Sequence, residues 1–297
     1  MNIKVTGAMV LCLLLLTVEV NAQKILRMKF VQGAESTISL VNKTTVDTKF
    51  GENKSKADLT MAMDLHQSVI EVKSDGSAVV IQKLARIKME STGGLAGVTL
   101  EFDSNDPKED DQANALSQVL RPLIGAQFEV TYSDRGVVLD VKPPAALVKS
   151  RTTNWAVVYQ QMFSGESFKS MLSQSSVVLP EKPVSRGTKW KTNFSSAPQA
   201  GGAAVTVSYV YDGTVEVDGK QLEKLDVTMV MKLLESKLPD APRLNIKKQS
   251  SSGTMYFDNQ TGKMSHSVVK QLMQIEGQIG AMSLLQQTIT DVTTTVK

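Results

Sequence analysis

The chain carries little acid–base equipment, and what it has is scattered. There are two histidines, His66 and His266, in 297 residues. His66 follows Met63 and Leu65 in a run where apolar and polar residues alternate, which assigns it to the polar face of a strand. His266 stands between Ser265 and Ser267, a neighbourhood that invites a serine–histidine relay. Such relays are assembled in space rather than along the chain, and no strained Gly-x-Ser-x-Gly elbow occurs, so residues 265–267 read as an exposed strand edge. Asp103, Asp106, Glu109, Asp110 and Asp111 cluster, but without the glycine and closing glutamate of an EF-hand. They read as a solvated loop entering a helix N-terminus. A carboxylate-pair hydrolase stays open on residue types alone, although two Trp and five Tyr give few platforms for a sugar.

Methionine is the fuller signal. Of 14 in the chain, Met61, Met63, Met229 and Met231 recur at strand spacing on apolar faces. They are expected either to fill an ordinary core or to line a deformable cavity for an apolar ligand such as a lipid.

Composition narrows the setting. The 33 basic and 30 acidic side chains leave a net charge of +3 with no basic stripe, so nucleic acid is not an expected partner. Lys4, the apolar run Met9–Leu16 and the small residues Val20-Asn21-Ala22 have the layout of a cleavable signal peptide over residues 1–22. Cleavage after Ala22 would start the exported protein at Gln23, secreted or periplasmic. The one cysteine, Cys12, lies inside that run and is preceded by Leu11, unlike a lipid-attachment site. Residues 23–297 therefore lack thiols, which excludes disulfides, thiol catalysis and cysteine metal sites there. No later stretch is long enough to be a transmembrane helix, and no cofactor or metal motif is present.

The elements that must position these residues are mostly strands. Leu59 to His66 alternate, and so do Val79, Ile81, Ala85, Ile87 and Met89 after the Asp75-Gly76 turn. Val98, Leu100 and Phe102 continue the meander. Ala113, Leu116, Val119, Leu120 and Leu123 have helical spacing, as do residues from Ala145 to Leu172. A hairpin is expected around residues 133–136, and strands resume after Pro183: Val205 to Tyr211 alternate, Val215 and Val217 follow Asp212-Gly213, and turns fall at Asp218-Gly219 and 258–262. Gly201-Gly202 and Ser250–Gly253 read as loops. The expected fold is α+β: a large curved antiparallel sheet with mid-chain helices packed on one face. Residues 23–297 form one domain in this reading, with two similar halves, 23–142 and 184–297, joined by a helical segment over 143–183.

Gly187-Thr188-Lys189-Trp190 and the stretch from Thr254 through Asp258 and Gly262 to Met264 resemble secreted bacterial proteins of an uncharacterised domain family. More distantly, the layout is similar to half-barrel lipoprotein and lipid carriers of the periplasm. That resemblance implies an incomplete barrel holding acyl chains, and it transfers no functional residue. The expected function is a non-enzymatic exported protein that binds an apolar ligand or partner protein in a concave sheet. The alternatives are an envelope-associated interaction module and the carboxylate hydrolase.

Overall fold

The computed structural model describes residues 23–94, 97, 99–106, 117, 120–144, 169, 172–173, 176–195, 202–234 and 243–297. Among these residues twelve strands form one antiparallel sheet. In chain order they are β1 (Glu35–Phe50), β2 (Asn53–Val72), β3 (Ala78–Gly93), β4 (Leu100–Asp103), β5 (Gln127–Tyr132) and β6 (Val138–Lys142). They continue with β7 (Lys189–Ser195), β8 (Ala203–Val217), β9 (Lys220–Leu233), β10 (Arg243–Asp258), β11 (Lys263–Ile279) and β12 (Met282–Val296). The spatial order is β6-β5-β3-β2-β1-β12-β11-β10-β9-β8-β7, with β4 beside β3. First and last strands thus meet at the centre, where Ile38 faces Val296 and Phe50 faces Leu284. One wing, β1–β6, extends to one side and the other, β7–β12, to the opposite side.

The expected α+β class is wrong. The described chain is an almost purely antiparallel β structure, and no described helix packs on the sheet; a short 3-10 turn at Arg121–Leu123 is the longest helical element among the described residues. Most of the two helical readings, including nearly all of residues 145–172, lies outside those residues. Apolar spacing alone does not establish a helix, because the same period can arise without one. What buries apolar surface here is strand packing against two extended straps, residues 24–30 and 176–184.

Two core clusters result. In the first wing Val80, Leu84, Ile87, Phe102, Phe128 and Val130 pack together. In the second, Val205, Val207, Tyr209, Leu225, Val227 and Phe257 pack against Leu26, Val177, Leu179 and Val184 of the straps. The straps also bind the wings to each other. The Met28 amide donates to Asp134 O in the β5–β6 turn, while the Lys29 amide donates to Gly262 O in the β10–β11 turn. Gly262 is glycine for cause: its φ is +68°, and a Cβ there would collide with Lys29. Arg135 in the β5–β6 turn reaches Leu179 O at 2.9 Å, and the Val178 amide meets the Tyr209 hydroxyl. Hairpins many strands apart are thereby held at one end of the molecule, so the sheet must curl, with the clusters on its inner face.

Other local corrections follow from the ladder. The break at Asp212-Gly213 is a bulge inside β8, with a register shift between Tyr211 and Gly213. Ser250–Gly253 lies within β10. Residues 265–267 lie in β11 between two neighbours, with Ser267 buried, and are no edge.

Candidate functional site

Register assigns each strand residue to a face, because alternate side chains point to opposite sides. Across β2, β1, β12 and β11 the row Met61, Asn42, Val292, Val269 shares one face, as does the row Met63, Leu40, Thr294, Ser267. Continuing through Gly253 and Met255 on β10 to Val227 and Leu225 on β9, the same face carries Met229 and Met231. All four methionines singled out by spacing therefore lie on one side of the sheet, the side of the two clusters. Met63 packs on the first cluster, and Met229 and Met231 on the second. They do not converge: β2 and β9 are separated by four strands.

This inner face has a marked electrostatic character. The charged residues of the central strands, among them Lys43, Asp47, Asp64, Lys270, Glu276 and Asp291, all project outward by the same register. Outside the β8–β9 hairpin end, where Glu216 and Glu223 sit, no described strand position on the inner face is charged. Glu223 is neutralised locally. Buried almost completely, it accepts from Lys24 Nζ at 2.8 Å, from Tyr211 Oη at 2.6 Å and from Thr214 Oγ1 at 2.9 Å. Burial, followed by that hydrogen bond to Glu223, pushes the Tyr211 phenol up to about 12.

Between the apolar wings runs a neutral polar stripe on β1 and β12. Thr44 donates to Asn42 Oδ1 at 2.9 Å and lies 3.2 Å from the Thr290 hydroxyl, and Gln286 donates to Thr288 Oγ1. Apolar walls flank a strip of hydroxyls and amides, and no ion is needed to balance anything.

The sheet is not equally closed on its two sides. β9 and β10 share a ladder only from Val227–Gly253 to Glu223–Phe257. Beyond it, side chains replace the backbone. The Met229 amide donates to Ser251 Oγ at 3.0 Å. The Met231 amide donates to Gln249 Oε1 and Met231 O accepts from Gln249 Nε2, both at 2.8 Å. One glutamine amide thus mimics the peptide unit of a missing strand. Side-chain length rises as the strands part: none at Gly253, one hydroxymethyl at Ser251, a full amide arm at Gln249. Gly253 and Ser251, residues of loop composition, form with Gln249 the graded filling of a wedge. In the first wing the third strand from the centre, β3, diverges from β5 in the same way after Lys83–Gln127. There β4 supplies a real neighbour, from Lys88–Asp103 to Ser91–Leu100.

Among the described residues nothing resembling an acid–base centre is assembled. His66 and His266 are on the outer face, on strands separated by β1 and β12. His66 Nδ1 lies 2.8 Å from Thr37 Oγ1, beside a polar groove of about 540 Å³ that also touches Lys83 and Lys297. His266 stacks on Tyr256 with centroids 4.3 Å apart. Among the described residues no group of three or more His, Cys, Asp or Glu could hold a metal ion. Asp103 ends β4 and pairs with Arg86 at 2.8 Å, whose guanidinium holds the carboxyl below its ordinary range. No described helix is long and apolar enough to cross a membrane.

The model of a family of unknown function, DUF6263, matches residues 75–264, well over half of the chain. The chain belongs to that family. The expectation of an uncharacterised family is met, and Trp190 of the quoted motif is a packing residue, stacked on Tyr209 at 5.2 Å with Nε1 donating to Val178 O. No curated protein matches the sequence significantly. Among solved structures, the chain is similar to lipovitellin at 11% identity and a TM-score of 0.47, covering 91% of this chain and 26% of that one. It spans about a quarter of that protein. An outer membrane channel from Pseudomonas putida F1 matches at 8% identity and 0.28, covering 91% and 97%. A DUF1329 family protein from Desulfovibrio piger matches at 7% and 0.13, covering 88% and 84%.

Proposed function

We propose that this DUF6263 protein is an exported, non-enzymatic carrier that holds an uncharged, acyl-chain-bearing lipid against the inner face of its curled sheet, after cleavage of residues 1–22 and in the periplasm or outside the cell. The observation that carries the reading is the separation of charge along the strands: ionised side chains throughout the outer face, and none at the described strand positions of the inner face away from one hairpin end. A surface meant for water or for an ionic headgroup would bear countercharges, whereas burying acyl chains stabilises in proportion to apolar area. Met61 and Met63 on one wing and Met229 and Met231 on the other give that surface side chains that repack around a flexible guest. The hydroxyl and amide stripe at Asn42, Thr44 and Thr290 suits a neutral ester or hydroxyl group.

The test is binding of a fluorescent diacylglycerol to the purified protein, compared with a fatty acid and an anionic phospholipid bearing the same chains. Preference for the neutral lipid is expected, with a loss of about ten-fold or more for Met63→Lys and for Met231→Lys, each a charge placed among buried chains. Thermal melting checks that each variant stays folded, and Lys270→Met on the outer face should bind normally. Equal binding of all three lipids, or none, overturns the proposal.

A further inference from the structure

We infer that the wedge between β9 and β10 is a strand-addition site for an extended peptide that alternates apolar and acidic residues. The site shares Met229 and Met231 with the lipid-facing surface but rests on separate observations, the hydrogen bonds of Ser251 and Gln249. Edges of a sheet recruit extended chains because their backbone groups need partners. Here the partners of Met229 and Met231 are side-chain groups of Ser251 and Gln249, which can swing away and be replaced. Along the β9 side of β10, from Arg243 to Ser252, no described strand is laddered. A strand inserted between two others needs about twice the usual 4.8 Å spacing, and the sequence Gly253, Ser251, Gln249 marks an opening that widens in that direction.

The molecule shows what fits such a place. Its own β4 sits at the counterpart position on β3, and it reads Leu100-Glu101-Phe102-Asp103. Phe102 points to the inner face and is 1% exposed, under the Arg121 guanidinium. Glu101 and Asp103 point outward, Asp103 opposite Lys88 and ion-paired to Arg86. The wedge in the second wing offers the matching environment. Met229 and Met231 are on its inner side, and Lys232 and Lys248, both exposed, flank it on the outer side. A guest with apolar side chains inward and carboxylates outward meets methionines on one face and lysines on the other.

The experiment uses fluorescein-labelled Thr-Leu-Glu-Phe-Asp-Ser, the sequence of residues 99–104, and the purified protein, read by fluorescence anisotropy. Saturable binding is expected, about ten-fold tighter than for the same peptide with both acids changed to lysine. The double variant K232E/K248E, altered only at exposed outer positions, should reverse the preference and favour the lysine peptide. Hydrogen exchange should slow on adding peptide at residues 228–233 and 243–252. Absence of binding, equal binding of both peptides, or protection elsewhere in the sheet overturns the inference. Because both lysines lie on the outer face, lipid binding by the double variant should be unchanged, which keeps a failure here separate from a failure of the carrier reading.

Discussion

The two wings reach the same problem at the third strand from the centre and solve it differently. β3 loses β5 after six paired residues and gains β4. β10 loses β9 after five and is left with Ser251 and Gln249. In the first wing the parting strands are refilled by backbone and by a buried phenylalanine. In the second they are spanned by two polar side chains. Main-chain pairing plus apolar burial fixes a structure, whereas a side-chain amide satisfies hydrogen bonds while burying little. The first seam is built to stay shut, and the second is satisfied without being sealed.

That contrast can be broken by mutation. Phe102→Ala should have the largest effect, about 3–5 kcal/mol in urea unfolding, because it empties the plug of the closed seam; a loss below 1 kcal/mol would mean that β4 is an ornament. Next come the phenols that the wings share where the straps hold them. Tyr132, which accepts from Gln82, and Tyr209, at the Val178 amide, are both pushed up to about 12 by burial. In the unfolded chain they ionise near 10, so their contribution is whole below about pH 10 and is lost as pH rises through about 12. Tyr132→Phe and Tyr209→Phe should each remove on the order of 2 kcal/mol of that alkaline loss, by similar amounts if the wings are alike at this end. Gln249→Ala is the smallest, about 1–2 kcal/mol, with faster hydrogen exchange at the Met231 amide and none of the broad loss expected of Phe102→Ala. A larger cost would make the second seam as rigid as the first.

Much of this architecture was legible in the sequence. Leu59 to His66 alternate as β2 does, Asp75-Gly76 makes the β2–β3 turn, and residues 258–262 make the β10–β11 turn. A local signal misleads where the surrounding ladder overrides it. Asp212-Gly213 has turn chemistry, yet Tyr211 and Thr214 keep their partners on β9, so the chain bulges instead of reversing. Ser250–Gly253 has loop composition, but Gly253 permits close approach to Val268 and Val269, and Ser251 completes the amide of another strand. Period alone assigns the four methionines to apolar faces. That they share one face could not be read, because it depends on the register of β1 with β12, a pairing between residues some 250 positions apart.

That central pairing also governs the order in which the molecule can come into being. Each wing has neighbours close in sequence and can begin to form by itself, but β1 has no final partner until β12 exists, and Lys24 has no counterion until Glu223 does. Contacts of such sequence separation form late, since the long loop must close before they contribute. A chain delivered from its N-terminus onward would therefore remain an open, two-part intermediate until its last strand arrives. The strap at residues 24–30 would then act as a closing bolt, drawn across only when both wings are in place.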